Sequence, residues 1–135
     1  YSGLEVVAWA RKAEELGAGE LVITSVDKEG TGEGYDIELI KSISEAVSIP
    51  VIAHGGASST ENIIRAIQVG KADAIAIASI LHYSVMQSFS NTSSDYQEEG
   101  NISFLSSGKI PKKIIPSSLK EIRAALIKAQ IPTRY

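Results

Sequence analysis

The residues best suited to chemistry fall in three short clusters. Gly55 and Gly56 carry no side chain that would block close approach, so backbone N–H groups there can face an anion. Ala78 and Ser79 form a second small pair, in which Ser79 adds a hydroxyl and another backbone N–H. A Gly-Gly pair by itself is equally a tight turn, but its recurrence beside Ala78-Ser79 at the next such position favours a phosphate ligand. Asp27 and Glu29 make the third cluster, two carboxylates able to orient a sugar hydroxyl or to move a proton. With no second partner visible beside them, a solvated acidic loop is the plainer reading. His54, next to Gly55, is a candidate general acid or phosphate ligand, and His82 follows Ser79 closely. A lone histidine is more often a hydrogen-bonded structural group. Trp9 and the few tyrosines read as packing residues. No constellation of His, Asp or Glu has metal-ligand spacing, and no cofactor is expected.

These residues must be held by the elements around them, and hydrophobic spacing predicts those elements. Apolar positions at Leu4, Val7, Ala8, Ala10, Ala13 and Leu16 recur at helical intervals and stop at Gly17-Ala18-Gly19. Leu21 to Thr24 is a short β-branched run, read as a strand buried on both faces. The glycine-rich loop from Asp27 to Gly34 follows, then a helix capped by Asp36 and running to about Val47. Pro50 to Ala53 is a second strand, and a helix opens at Ser59 or Thr60 and stops at Gly70. Ala74 to Ala78 is a third strand, ending at Ser79. From Ser84 to Pro116 periodicity is lost while Ser, Asn, Gly and Pro abound, with scattered apolar residues such as Phe89, Phe104 and Leu105. That stretch reads as a long loop or partly disordered insertion. Helical spacing returns from Leu119 to Ala129 after Ser117 and Ser118, and this helix is expected beside the third strand.

Three apolar strands, each followed by a helical segment, predict a parallel α/β sheet with right-handed crossovers. Gly17-x-x-Glu20 through Thr24-Ser25 is echoed by Gly70-x-x-Asp73 through Ala78-Ser79. Such repetition favours half of a (β/α)8 barrel over a dinucleotide-binding sheet, whose Gly-x-Gly-x-x-Gly turn none of the strand exits carries. The whole chain, residues 1–135, is taken as one such half-barrel domain. In that fold a phosphate commonly sits at the loops after the last strands, where Gly55-Gly56 and Ser79 fall.

Bulk properties narrow the function classes. At 44% hydrophobic and 21% charged residues, with no apolar run of about 18 residues, the chain is globular and not membrane-spanning. A net charge of −3, with basic residues scattered apart from Lys109 to Lys113, gives no nucleic-acid footprint. The absence of cysteine rules out disulfides and thiol chemistry and makes a cytoplasmic setting the default expectation. Tyr1 in place of Met, and a helical pattern beginning almost at once, suggest a chain cut from something longer.

The runs Gly17 to Asp27, Glu29-Gly30-Thr31, Gly34-Tyr35-Asp36, Ile49 to Ala53, Gly55-Gly56-Ala57, Ala72-Asp73-Ala74 and Ala78 to His82 resemble the C-terminal half of the cyclase subunit of imidazole glycerol phosphate synthase. The resemblance covers Gly3 to about Tyr83 and returns weakly over the final helix to Arg134. It implies a lyase of histidine biosynthesis that takes ammonia from a glutaminase partner. Its substrate would be a phosphorylated ribonucleotide, the formimino aminoimidazole carboxamide ribonucleotide, and its products imidazole glycerol phosphate and aminoimidazole carboxamide ribonucleotide. It further implies that Gly55, Gly56, Ala78 and Ser79, with Thr24 and Gly30 nearby, bind one substrate phosphate. Glu20 would be a charged gate on the face where the glutaminase docks. The family's two catalytic aspartates lie at the ends of its first and fifth strands, both upstream of Tyr1, so this chain alone is expected to be inactive. His54 stands where the family often has serine, and Glu29 where it usually has aspartate.

Two other readings remain: an ammonia-using cyclase-like subunit that modifies a nucleotide-linked sugar, and a phosphate-binding half-barrel without catalysis. A further expectation follows from counting strands. Inner-facing residues along Leu21 to Thr24, Val51 to Ala53 and Ala74 to Ala78 would leave roughly six larger apolar side chains uncovered, on the order of 10 kcal/mol of unburied surface. The chain is therefore expected to need a second copy of itself or the matching barrel half.

Overall fold

The computed structural model describes residues 3–88 and 110–133. The first helix, α1 (Val6–Glu15), is capped from Glu5, whose carboxylate accepts from the Val7 and Ala8 N–H groups at 3.0 and 2.7 Å. β1 (Leu21–Thr24) leads through a glycine-rich loop to α2 (Ile37–Ser44), where the Asp36 carboxylate accepts from Leu39 N–H at 3.0 Å. β2 (Val51–His54) is followed by α3 (Thr60–Gln68), with Ser59 settling as the cap. β3 (Ala74–Ile75), α4 (Ser79–Ser88) and α5 (Leu119–Lys128) complete the described chain.

The strands form one parallel sheet in the order β1-β2-β3, with Leu21 opposite Val51, Thr24 opposite His54 and Ile52 opposite Ala74. Three parallel strands alternating with helices are the arrangement of half of a (β/α)8 barrel. Because side chains alternate across a strand, Leu21, Ile23, Val51, Ala53, Ile75 and Ile77 turn toward the helices and pack with Ile40, Ile43, Ile63 and Ile80 in the core. Val22, Thr24, Ile52, His54 and Ala74 line the opposite face. Asp73 closes the lower edge, its carboxylate accepting from Val51 N–H at 2.9 Å.

Four expectations need correction. β3 is two residues long rather than five, because the chain bends at Ala78 and enters α4 directly. Ser84 to Ser88 belongs to that helix and not to an insertion; Phe89, Phe104, Leu105 and Lys109 lie outside the described residues, as does Arg134. Residues 110–118 are tied down against the sheet's upper end, as set out below. The final helix packs on α3 rather than beside β3: Ile122 is buried and Gln68 Nε2 donates to the Ala129 carbonyl at 3.1 Å. Trp9 is also not a core residue, being 53% exposed on α1.

Candidate anion-binding site

The C-terminal ends of the three strands open on one pocket lined by Glu29, Gly30, Gly32, His54, Gly55, Gly56, Ala57, Ala76, Ile77, Ala78, Ser79 and Ile114. Gly30, Gly55, Gly56, Ala78 and Ser79, separated by up to two strand-helix units in sequence, are thereby brought to a single rim.

Each wall has a local cause. The Ala78 carbonyl accepts from His82 N–H at 2.9 Å, the first bond of α4, so Ala78 occupies the helix-capping position. A methyl side chain cannot accept from the free amides of the first turn, and alanine is among the poorest caps. Among the described residues no side chain caps the N-terminal end of α4 where it meets the pocket, the arrangement an anion satisfies. At the opposite wall Gly55 and Gly56 have φ of 97° and 87°, values that favour glycine. Gly56 is also held by chain packing: its carbonyl accepts from Gly34 N–H at 2.8 Å, and a Cβ there would run into the Gly34 carbonyl and come within 2.9 Å of Lys28. The glycine at 56 is thus required by the fold whether or not a ligand binds.

The loop after β1 is a turn in which Ser25 O accepts from Lys28 N–H and Glu29 N–H at 3.2 and 2.9 Å. Tyr35 pins its far end to the third strand exit. Its ring is buried, its hydroxyl donates to the Ala76 carbonyl at 3.1 Å, and burial pushes its pKa up. Glu29 reaches over Gly55, where a Cβ would lie 3.2 Å from Oε2, and brings that oxygen 3.9 Å from His54 Nδ1. Thr24 does not line the pocket, but its hydroxyl lies 3.0 Å from the same His54 nitrogen.

A fourth wall went unread in the sequence. Ile114 lines the pocket; Ile115 N–H donates to the Ser58 carbonyl at 2.7 Å, and Lys113 pairs with Glu33 at 2.7 Å. These lysines hold Glu33 well below the usual carboxylate range, Lys113 foremost and Lys28 with it. The signal was faint: two isoleucines before Pro116, inside a segment rich in turn formers.

Other candidates fall elsewhere. Asp27 is exposed and outside the lining, and His82 lies on α4, its ring edge-on to Tyr83 at 5.1 Å. Glu20 stands before β1, at the end of the sheet away from the pocket. Among the described residues no group of three His, Asp or Glu side chains could hold a metal ion, and no helix is long and apolar enough to cross a membrane.

Residues 1–87 match the family model described as histidine biosynthesis protein. Over 85 residues the chain is 55% identical to the imidazole glycerol phosphate synthase subunit HisF of Lachnoclostridium phytofermentans, a match that covers 63% of this chain and 33% of that protein. The chain thus spans about a third of the length of the curated relative it matches. A crystal structure of the Amycolatopsis orientalis BexX/CysO complex is similar with a TM-score of 0.47 and 29% identity, covering 53% of this chain and 29% of that one.

Proposed function

From the premise that the chain belongs to the histidine biosynthesis protein family, we propose that it supplies a phosphate-binding end of an imidazole glycerol phosphate synthase cyclase subunit. The observation that carries this reading is the uncapped start of α4 at Ala78-Ser79, set across one pocket from Gly55-Gly56. A phosphate there accepts from the amides of Ser79 and its successors and from the Ser79 hydroxyl. The glycine walls leave room for it, and Thr24 and Gly30 shape the rim.

Family membership supports the rest of the proposed cycle. A glutaminase delivers ammonia from the far end of the barrel, past Glu20. The ribonucleotide bound at the pocket end is converted to imidazole glycerol phosphate and aminoimidazole carboxamide ribonucleotide, in the cytoplasm. The acid and base of that cyclisation are not assigned to Asp27, which stands outside the pocket.

Titration with glycerol phosphate, followed by amide NMR, tests the site. Binding should shift Gly55, Gly56 and Ser79, and Ser79→Ala should weaken affinity about tenfold, the ~1.4 kcal/mol of one hydrogen bond to a charged ligand. Shifts confined to other residues, or an unchanged affinity in Ser79→Ala, would remove this pocket from the reading.

A further inference from the structure

The pocket's charges do not match an anion site as they stand. Its lining holds the carboxylate of Glu29 and neither lysine nor arginine. Two lysines of the flanking loops are engaged elsewhere: Lys28 and Lys113 both turn to Glu33, at 3.5 and 2.7 Å. A dianionic phosphate placed in this pocket would share it with the Glu29 carboxylate, and His54 lies beside that carboxylate.

His54 is placed to offset that charge. It lies on the inner face of β2, at the last position of the strand, with its side chain 34% exposed, and it lines the pocket. Its Nδ1 edge is occupied, 3.0 Å from the Thr24 hydroxyl and 3.9 Å from Glu29 Oε2. That leaves Nε2, on the opposite edge of the ring, for a ligand. The groups around it are few. Thr24 faces it from β1 and does not titrate; Glu29 faces it from the loop; the segment between β3 and α4 contributes Ala76 and Ala78 to the same lining, and the 110–118 segment contributes Ile114. Asp36, at the head of α2, turns instead toward Ser25 at 3.5 Å.

We propose that His54 is a cationic ligand of the phosphate, a protonated imidazole held by Thr24 and Glu29 that makes anion binding at this pocket strengthen as pH falls. This rests on the phosphate reading above. When the ring is charged, both nitrogens donate: Nδ1 to Thr24 or Glu29, Nε2 to a phosphate oxygen. One positive charge then lies between two negative groups. When the ring is neutral, the ligand meets the Glu29 carboxylate unscreened. Histidine is the side chain suited to such a switch, because its charge changes between about pH 5 and 8. The site would take an acidic headgroup, a phosphate monoester or sulfate, at the end of a larger substrate.

The test uses sulfate, which stays doubly charged throughout that range, so any pH dependence belongs to the protein. Calorimetric titration should show sulfate bound about tenfold more tightly near pH 5.5 than near pH 8, equivalent to ~1.4 kcal/mol. In His54→Ser sulfate should still bind, with the difference reduced to less than about twofold. Equal affinity at both pH values, or the wild-type dependence persisting in His54→Ser, overturns the role of His54 while leaving the pocket an anion site. No sulfate binding at either pH overturns the phosphate reading itself, and this inference with it.

Discussion

Gly56 and Tyr35 show how single residues can look functional and still be demanded by the chain. Gly56 combines a left-handed backbone with a carbonyl and a neighbouring loop in the space where a Cβ would go. Gly56→Ala is expected to destabilise the fold by ~2 kcal/mol or more, read from urea unfolding. Its effect on ligand affinity therefore cannot by itself report a contact; an unfolding curve like the wild type's would show that the two loops can part at no cost. Tyr35 acts at a distance from any ligand, by fixing the β1–α2 loop to β3 through its bond to Ala76. Tyr35→Phe keeps the buried ring and leaves that carbonyl without its donor, a loss of about 1 to 2 kcal/mol. If stability is unchanged but the Glu29 and Gly30 amide resonances broaden, the hydroxyl orders the loop without stabilising the whole.

The elements are joined largely by carboxylates at their ends. Glu14 of α1 accepts from Ser48 N–H at 2.9 Å and from its hydroxyl, joining the first helix to the turn after α2. Glu45 pairs with Lys71 at 2.6 Å, and Glu121 completes a reciprocal cap with Ser118 at the head of α5. Hydrogen bonds from Ser48, Lys71 and Ser118 are the leading cause that lowers the pKa of each in turn, and Glu5 is lowered by the Val7 and Ala8 amides it caps. A carboxyl whose folded pKa is depressed adds stability above its unfolded value and loses it as pH falls through the folded one. The thermal midpoint should therefore hold down to about pH 4.5 and then drop as pH falls further. Glu14→Gln should shallow that drop. A midpoint that already falls between about pH 7 and 5 would place the acid-sensitive group elsewhere.

For the whole molecule the open inner face matters most. Instead of six large apolar residues, that face carries two, Val22 at 59% exposed and Ile52 partly covered, the remainder being Thr24, His54 and alanines. Covering those two would contribute about 3 to 6 kcal/mol, well short of the figure expected from strand counting. Weak association of this 135-residue chain through Val22 and Ile52 is the expected outcome. Sedimentation equilibrium should give a mass rising above 14.4 kDa with concentration, and Val22→Lys should return it to that value. A constant 14.4 kDa across the micromolar range in the unaltered chain would show that the inner face tolerates water.

The sequence by itself determined the order of strands and helices, the parallel sheet and the identity of the two small-residue strand exits. All of these depend on patterns a few residues long: the β-branched runs at Leu21 and Val51, the caps at Asp36 and Ser59, the stops at Gly17 and Gly70. The expectation of a phosphate at those exits came from the same small residues, and the family resemblance pointed to the same loops. Tertiary structure alone decided which of the candidates share a space. Asp27 and Glu29 are two residues apart, yet only Glu29 turns over Gly55 to His54. Ile114 joins a wall whose other members lie at least 35 residues earlier in the chain, because Ile115 and Lys113 find partners on the sheet's upper end. Periodicity reports which side of an element is buried; it carries no information about which distant loop comes to rest against it.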